Sequence, residues 1–100
     1  MLDGNELRSL TAGLRAGDGD AWERFYALTH FPILRALRRL LHDETLAEEA
    51  LQAAYVTAIE RIGAFDPARG SADGWLAGIA RMKARELCRK APAMSLEDVP

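Results

Sequence analysis

Residues 45–62 read TLAEEALQAAYVTAIERI, and their apolar positions recur every three or four residues. Thr45 and Glu48 match the pattern of a capping box, so we expect a helix to open there and to continue to about Ile62, where Gly63 supplies a stop. A stripe of this period is typical of an amphipathic helix that packs one face against its neighbours. The predicted buried stripe consists of Ala47, Ala50, Leu51, Ala54, Tyr55, Ala58, Ile59 and Ile62.

The same period predicts two helices before this stretch. Residues 6–16 form a short amphipathic segment that ends at Gly17. Asp20 opens another capping-box pattern and is the expected N-cap of a long second helix. Pro32 lies inside that helix and predicts a kink or a break near Thr29–Phe31, because proline lacks a backbone donor and clashes with the preceding turn.

The chain after Gly63 predicts a loop and one more helix. Residues 63–70 are punctuated by proline and glycine, and Ser71 is placed to cap a last helix. Periodicity is lost after Lys90, so we expect one helical domain over residues 1–91, with residues 92–100 as the start of an interdomain linker or a tail. The fold prediction is all-α: a compact bundle of four helices, the second kinked near Pro32. The apolar positions expected in the last helix are Trp75, Leu76, Ile79, Met82 and Leu87.

Composition excludes several classes of protein. One hundred residues with 49% hydrophobic and 28% charged side chains are typical of one small domain with a single core. No apolar run approaches the ~20 residues that a membrane span needs, and the first residues do not form a signal peptide. We therefore expect a cytoplasmic protein without membrane insertion. Cys88 is the only cysteine, which excludes an internal disulfide and a cysteine zinc cluster within this chain.

The sequence carries no pattern of a catalytic centre. His30 and His42 are far apart, and neither stands in a metal-ligand spacing with an acid or with Cys88. There is no glycine-rich phosphate loop and no nucleophile motif. Adjacent carboxylates occur near expected helix starts, where they complement the helix dipole. We therefore predict a binding module with no catalytic residue, no metal site and no cofactor.

Charges of opposite sign are separated along the chain although the net charge is only −2. Residues 43–49 carry four acids and no base, whereas residues 81–90 carry five bases and one acid. This separation predicts two surfaces with different partners. Arg81, Arg85 and Arg89 recur every four residues and could follow a phosphate backbone. On composition alone, a solvated helix face with cations near its C-terminus is slightly favoured, and the same two alternatives hold for a second basic stripe. That second stripe consists of Arg35, Arg38, Arg39 and His42.

Two aromatic residues flank the predicted loop. Trp75 could stack on a base, but its spacing with Leu76 and Ile79 favours core packing. Phe65 lies in the loop itself, where a large apolar side chain must fill the core or face a ligand. We interpret it first as a residue that fills the core.

In their order and spacing, four groups of residues over positions 10–90 resemble region 2 of the extracytoplasmic-function (ECF) group of bacterial sigma factors. The groups are Leu14-Arg15-Ala16-Gly17-Asp18 with Ala21-Trp22 and Phe25-Tyr26; Ala47-Glu48-Glu49 with Gln52 and Tyr55; Phe65-Asp66-Pro67 with Gly70; and Trp75-Leu76 with Ile79-Ala80-Arg81 and Arg89-Lys90. The resemblance implies a helical domain that acts in transcription initiation.

The resemblance also implies partners and site residues. The third helix would dock on the clamp helices of the RNA polymerase β′ subunit, and an anti-sigma factor is a further expected partner. The loop would capture an unstacked base of the promoter −10 element, and the last helix would hold the non-template strand and the duplex edge. The polymerase-binding residues implied are Glu48, Glu49, Gln52 and Glu60. The DNA-binding residues implied are Ala64, Phe65, Asp66 and Arg69 in the loop and Arg81, Lys83, Arg85 and Arg89 in the last helix.

The sequence departs from the family pattern at three positions and in extent. Met82 stands where the family most often has asparagine, Glu86 where it often has aspartate, and Ile59 where it commonly has tryptophan. A second helical domain, region 4, is not among these 100 residues, so we expect a domain of a longer protein. The alternatives are a sigma-like decoy that binds an anti-sigma factor and a helical interaction domain unrelated to transcription. An enzyme is the last alternative.

Overall fold

The computed structural model describes residues 4–90, which form four α-helices and no strand. The helices are α1 (Gly4–Ala16), α2 (Gly19–Leu41), α3 (Glu44–Glu60) and α4 (Ala72–Lys90). Two short 3-10 turns, Ile62–Ala64 and Pro67–Arg69, lie in the connection of residues 61–71, the α3–α4 loop. The predicted all-α bundle is thereby confirmed. The predicted linker over residues 92–100 lies outside the described residues.

Aspartates cap α2 and α3 two residues before the predicted caps. The carboxylate of Asp18 accepts a hydrogen bond from the Asp20 amide, and that of Asp43 accepts one from the Leu46 amide, both at 3.0 Å. The N-caps predicted at Asp20 and Thr45 are therefore wrong, since each lies within the first turn. A side-chain acceptor satisfies free amides of the first turn. Asp18 and Asp43 lie in extended backbone directly before their helices, as N-cap residues do. The cap predicted at Ser71 is confirmed, because its hydroxyl accepts from the Gly74 amide at 3.3 Å.

The end of α1 is fixed by a Schellman motif. Gly17 has a φ of 75°, the left-handed conformation that glycine adopts at low cost. Its amide donates to the carbonyl of Leu14 at 3.2 Å, and the Asp18 amide donates to the carbonyl of Gly13 at 2.9 Å. This pair of bonds confirms the helix end predicted at Gly17.

Helix α2 continues through Pro32 without interruption, so the alternative of a break is wrong. Pro32 lies on the exposed side, where water can satisfy the carbonyl that has lost its donor. Ile33 and Leu34 directly after it are buried and hold this part of the helix against the core. A local kink at this position stays a prediction.

Helix α3 lies at the centre and packs against α2 and, most extensively, α4. Its inner face is an alanine stripe whose four members are fully buried, and small side chains let helices approach closely. The stripe consists of Ala47, Ala50, Ala54 and Ala58. Ile59 was predicted to belong to the buried face but is 54% exposed, because it lies at the edge of the stripe in the last turn of a helix that ends at Glu60.

Candidate functional site

Two glutamates and a glutamine of α3 lie together on its outer face. Glu48, Glu49 and Gln52 are all exposed and line one shallow depression of about 440 Å³, which His30 of α2 closes on one side. We call Glu48, Glu49 and Gln52 the acidic surface. Glu60 is exposed as well, but it lies more than three helical turns from Glu48, about 18 Å along the axis. The structure therefore brings together three of the four residues predicted for polymerase binding.

Exposed apolar side chains adjoin the acidic surface. Val56 is 56% exposed and Ile59 54% exposed further along α3, and Phe31 of α2 is 69% exposed. The Phe31 ring lies 5.3 Å from the His30 ring, and His30 lines the depression. Sequence reasoning missed this apolar border, although Val56 falls outside the predicted buried stripe and its position was the available signal.

A buried hydrogen bond supports the acidic surface from below. The hydroxyl of Thr29 is fully buried and donates to the carbonyl of Phe25 at 2.7 Å, so the Tyr55 hydroxyl donates to the Thr29 oxygen at 2.5 Å. Burial raises the pKa of Tyr55 to about 12, although its hydrogen bond with Thr29 acts in the opposite direction. The bond joins α2 to α3 in the interior of the bundle.

The α3–α4 loop forms a second candidate site. Its exposed residues Ala64, Asp66 and Arg69 line a cavity of about 300 Å³ together with Trp75, and we call this cavity the loop pocket. The carboxylate of Asp66 accepts from the Ala68 amide at 3.0 Å and shapes the second 3-10 turn.

Phe65 is only 4% exposed, and its ring centre lies 5.2 Å from that of Trp75. The prediction that Phe65 fills the core is confirmed. Phe65 also lines the loop pocket, where its ring packs against Trp75, and its place among the DNA-binding residues stays a prediction. Trp75 is half-buried, which fits its predicted packing and leaves part of its indole at the pocket.

A contact from α1 reaches the same loop. The guanidinium of Arg15 donates from Nη2 to the carbonyl oxygen of Phe65 at 2.5 Å, across fifty positions of sequence. No local sequence signal points to this bond, because the two residues lie in separate elements. Arg15 is one of the residues that carry the family resemblance, and no role was predicted for it.

The basic residues of α4 divide into two groups. Arg81, Arg85 and Arg89 are exposed along one face, which we call the basic surface. Lys83 lies about 200° around the helix from Arg81 and is half-buried, and its Nζ is 3.5 Å from a carboxylate oxygen of Glu86. Lys83 therefore lies on a different face of α4 from the three arginines, although it was predicted to bind DNA together with them.

The second basic stripe approaches the basic surface across a groove. Arg39 of α2 and Arg81 of α4 line one depression of about 320 Å³ whose other lining residues are apolar. Leu40 beside it is 52% exposed. The positive charge of α4 is thus continued onto α2 on this side of the molecule.

Comparison with known proteins identifies the family. The family model described as Sigma-70 region 2 matches residues 25–92. The chain belongs to the sigma-70 region 2 family. The match begins within α2 and includes α3, the α3–α4 loop and α4, so both candidate sites lie inside the matched part.

A curated relative of this region 2 chain is the ECF RNA polymerase sigma factor SigK of Mycolicibacterium vanbaalenii. It is 29% identical over 93 residues, which cover 93% of the chain and 47% of the relative. The chain thus spans about half the length of this relative. No solved structure matches the chain. Together with the helical architecture, these findings confirm the predicted resemblance to an ECF region 2 domain.

Three further observations concern the described part of the region 2 chain. Among residues 4–90, no three or more histidine, cysteine, aspartate or glutamate side chains form a group able to hold a metal ion. None of the helices in that range combines the length and the apolar character that crossing a membrane requires. Met82, one of the departures from the family pattern, is 43% exposed and so adds an apolar group to the surface of α4.

Proposed function

We propose that this region 2 domain acts in transcription initiation: it docks on RNA polymerase through the acidic surface and binds promoter −10 DNA through the loop pocket and the basic surface. One observation carries the proposal. Two exposed surfaces of opposite charge lie on α3 and α4, the two helices that pack most extensively against each other. A rigid pair of helices can thus hold a basic protein partner and a polyanion at the same time.

The polymerase partner is supported by the composition of the acidic surface. Carboxylates of Glu48 and Glu49 suit a basic coiled coil such as the β′ clamp helices, and they steer the encounter and fix its register. Exposed Val56 and Phe31 nearby supply apolar area that an interface can bury. A charged patch bordered by apolar side chains is typical of a docking surface, and we assign the β′ subunit to it.

The DNA partner is supported by the loop pocket. Unstacking a base costs a few kcal/mol, and a pocket that accepts only the displaced base offsets this cost. Trp75 lines the pocket and can stack on a base, which contributes about 1–3 kcal/mol. Phe65 lines the pocket but is only 4% exposed, so most direct contact falls to Ala64, Asp66, Arg69 and Trp75. Selective binding of the open strand then promotes melting without any covalent step.

The basic surface holds the phosphate backbone in this proposal. Arg81, Arg85 and Arg89 follow one helix face and can neutralise successive phosphates. Lys83 contributes less, because its ammonium group is half-buried and lies near Glu86.

A second candidate function is a sigma-like decoy that binds an anti-sigma factor. The observation that favours it is Met82, whose exposed thioether cannot make the hydrogen bonds of the amide that the family most often has there. A decoy would retain the acidic surface and would bind DNA weakly or not at all. The exposed arginines of α4 favour DNA binding over this alternative.

The polymerase arm is tested by binding of the chain to a β′ clamp-helix fragment. Glu48→Lys and Gln52→Ala alter the acidic surface, and we expect the charge reversal to weaken binding about tenfold or more. Asp20→Lys is the matched control, because Asp20 is exposed in the first turn of α2, about 15 Å along the axis from His30. Thermal melts of all variants separate loss of docking from unfolding. Equal binding by wild type and Glu48→Lys would overturn the polymerase assignment, and an absence of binding would favour the decoy.

The DNA arm is tested with single-stranded −10 oligonucleotides over a range of salt concentrations. Arg85→Ala should weaken binding to a similar extent on every sequence and reduce the salt slope by about one, as loss of one phosphate contact does. Lys83→Ala should have the smaller effect. An unchanged affinity of Arg85→Ala at low salt would show that the basic surface is only a solvated face.

A further inference from the structure

The hydrogen bond from Arg15 to Phe65 connects α1 to the loop pocket. The guanidinium meets the backbone carbonyl of Phe65 at 2.5 Å. Phe65 and its neighbours Ala64 and Asp66 line the pocket, and the Phe65 ring packs against Trp75, another lining residue. A movement of the Phe65 backbone would therefore change the shape of the pocket.

Arg15 is itself held by a rigid helix end. The Schellman motif at Gly17 closes α1 directly after it. The indole of Trp22 in α2 donates from Nε1 to the carbonyl of Leu14, the residue before Arg15, at 3.1 Å. Along α1, Leu7 and Thr11 face the loop and line a depression shared with Phe65 and Pro67. The donor is thus positioned by α1 and α2 and not by the loop that it contacts.

We propose that Arg15 is a positioning residue for the loop pocket: its charge-assisted hydrogen bond holds the Phe65 backbone and so sets which base the pocket prefers. This inference rests on the proposed DNA-binding function of the pocket. Hydrogen bonds with a charged donor are among the stronger ones in proteins, and this one joins two elements that are distant in sequence. Arg15 lies before the part of the chain that matches the family model, residues 25–92.

Two other roles of Arg15 give different expectations. A cation in the last turn of a helix is favourable through the helix dipole alone, but this effect needs no bond to a carbonyl fifty positions away. Arg15 is also exposed, so it could contact a phosphate directly. A phosphate contact lowers affinity on all sequences and reduces the salt slope, whereas a positioning role changes the ranking of bases.

The first experiment needs no DNA and follows the indole N–H signals in ¹⁵N spectra of the chain. The signals of Trp22 and Trp75 are distinguished with a Trp22→Phe variant. We expect Arg15→Ala to shift or broaden the Trp75 signal, and Arg15→Lys, which keeps a charged donor, to restore it in part. Arg35→Ala removes an exposed arginine from α2 and should leave the Trp75 signal unchanged. A Trp75 signal that is the same in wild type and Arg15→Ala would overturn the positioning role.

The second experiment ranks the affinities of −10 strands that differ by single bases. With Arg15→Ala, we expect the preference between the best and the second base at the captured position to fall by about threefold to tenfold, the effect of losing one ordered hydrogen bond. The salt slope should stay at the wild-type value, and Arg35→Ala should keep the wild-type ranking. A uniform loss of affinity with a slope reduced by about one would overturn the inference in favour of a phosphate contact.

Failure of the proposed function gives a distinct result. If wild type binds no −10 strand, the DNA assignment of the pocket is wrong, and the base-preference role of Arg15 is wrong with it. The Trp75 signal then still decides whether Arg15 holds the loop, since that measurement is made on the free chain.

Discussion

The acidic surface and the loop pocket are held in place in different ways. The acidic surface lies on a regular helix that rests on the alanine stripe and on the Thr29–Tyr55 hydrogen bond. The loop pocket depends on a few single contacts: the Phe65 ring against Trp75, the bond from Arg15 to Phe65, and the Asp66 cap. Support is distributed in the first site and concentrated in the second. Substitutions at supporting residues should therefore have graded effects under α3 and large effects in the loop.

The largest effect is expected for Phe65→Ala. Phe65 is 4% exposed, and removal of a buried aromatic ring typically costs about 3–5 kcal/mol of the free energy of unfolding. Val56→Ala, on the exposed face of α3, should change it by no more than about 0.5 kcal/mol. Urea unfolding of both variants measures the difference. A cost below about 1 kcal/mol for Phe65→Ala would show that the loop does not depend on this ring.

A smaller effect is expected for Thr29→Val under the acidic surface. This variant leaves the Tyr55 hydroxyl without its acceptor, which should cost about 1–2 kcal/mol. Tyr55→Phe should cost less, because Thr29 keeps its bond to the Phe25 carbonyl. The double variant should lose less free energy of unfolding than the two single variants lose together, as expected for two residues in contact in a double-mutant cycle. Additive costs would mean that the two hydroxyls do not stabilise each other.

The burial of Tyr55 predicts that stability depends on alkaline pH. The pKa of Tyr55 is raised to about 12 in the folded chain, against about 10 in an unfolded one. A raised pKa means that the folded state holds the proton more tightly, so this stabilisation is complete below pH ~10 and is lost as the pH rises through about 12. Unfolding measured across this range should show a steeper loss for wild type than for Tyr55→Phe. Parallel curves would contradict the assignment.

The smallest effect is expected at the turn between α2 and α3. His42 has a φ of 54°, a conformation that glycine adopts without a steric penalty. His42→Gly should raise the free energy of unfolding by about 0.5 kcal/mol, since relief of strain is partly offset by the greater freedom of unfolded glycine. His42→Ala keeps the strain and serves as the control. Equal stabilities of the two variants would show that the turn is not strained.

The sequence predicted the helices better than their ends. Four segments with apolar residues at helical spacing are enough to predict four helices, because burial of one face dominates helix formation in a small domain. The caps predicted at Asp20 and Thr45 were wrong because Asp18 and Asp43 offer competing acceptors two positions earlier, and backbone conformation decides between them. The break at Pro32 was wrong because buried neighbours hold the helix together while the proline faces solvent.

Some features of the candidate sites could also be predicted from the sequence, whereas one could not. Exposure of Glu48, Glu49 and Gln52 follows from helical spacing, and burial of Phe65 follows from an apolar residue in a short loop. The separation of Lys83 from the three arginines also follows from spacing, since two residues turn a helix by about 200°. The bond from Arg15 to Phe65 had no sequence signal, because it arises only when α1 packs beside the loop.

The alanine stripe has a consequence for how the domain can evolve. At the four positions of the stripe, α3 meets its neighbours through side chains of one carbon, which lets the helices approach closely there, while Leu51 and Tyr55 fill the rest of its buried face. Any larger residue in the stripe would push α3 outward and tilt the acidic surface relative to the basic one. In the proposed function, four alanines that contact neither partner therefore set the distance between the acidic surface, which binds the polymerase, and the residues that bind the first melted bases. In that proposal, substitutions in the α3–α4 loop change the base preference, whereas the small side-chain volume of the stripe keeps this distance fixed.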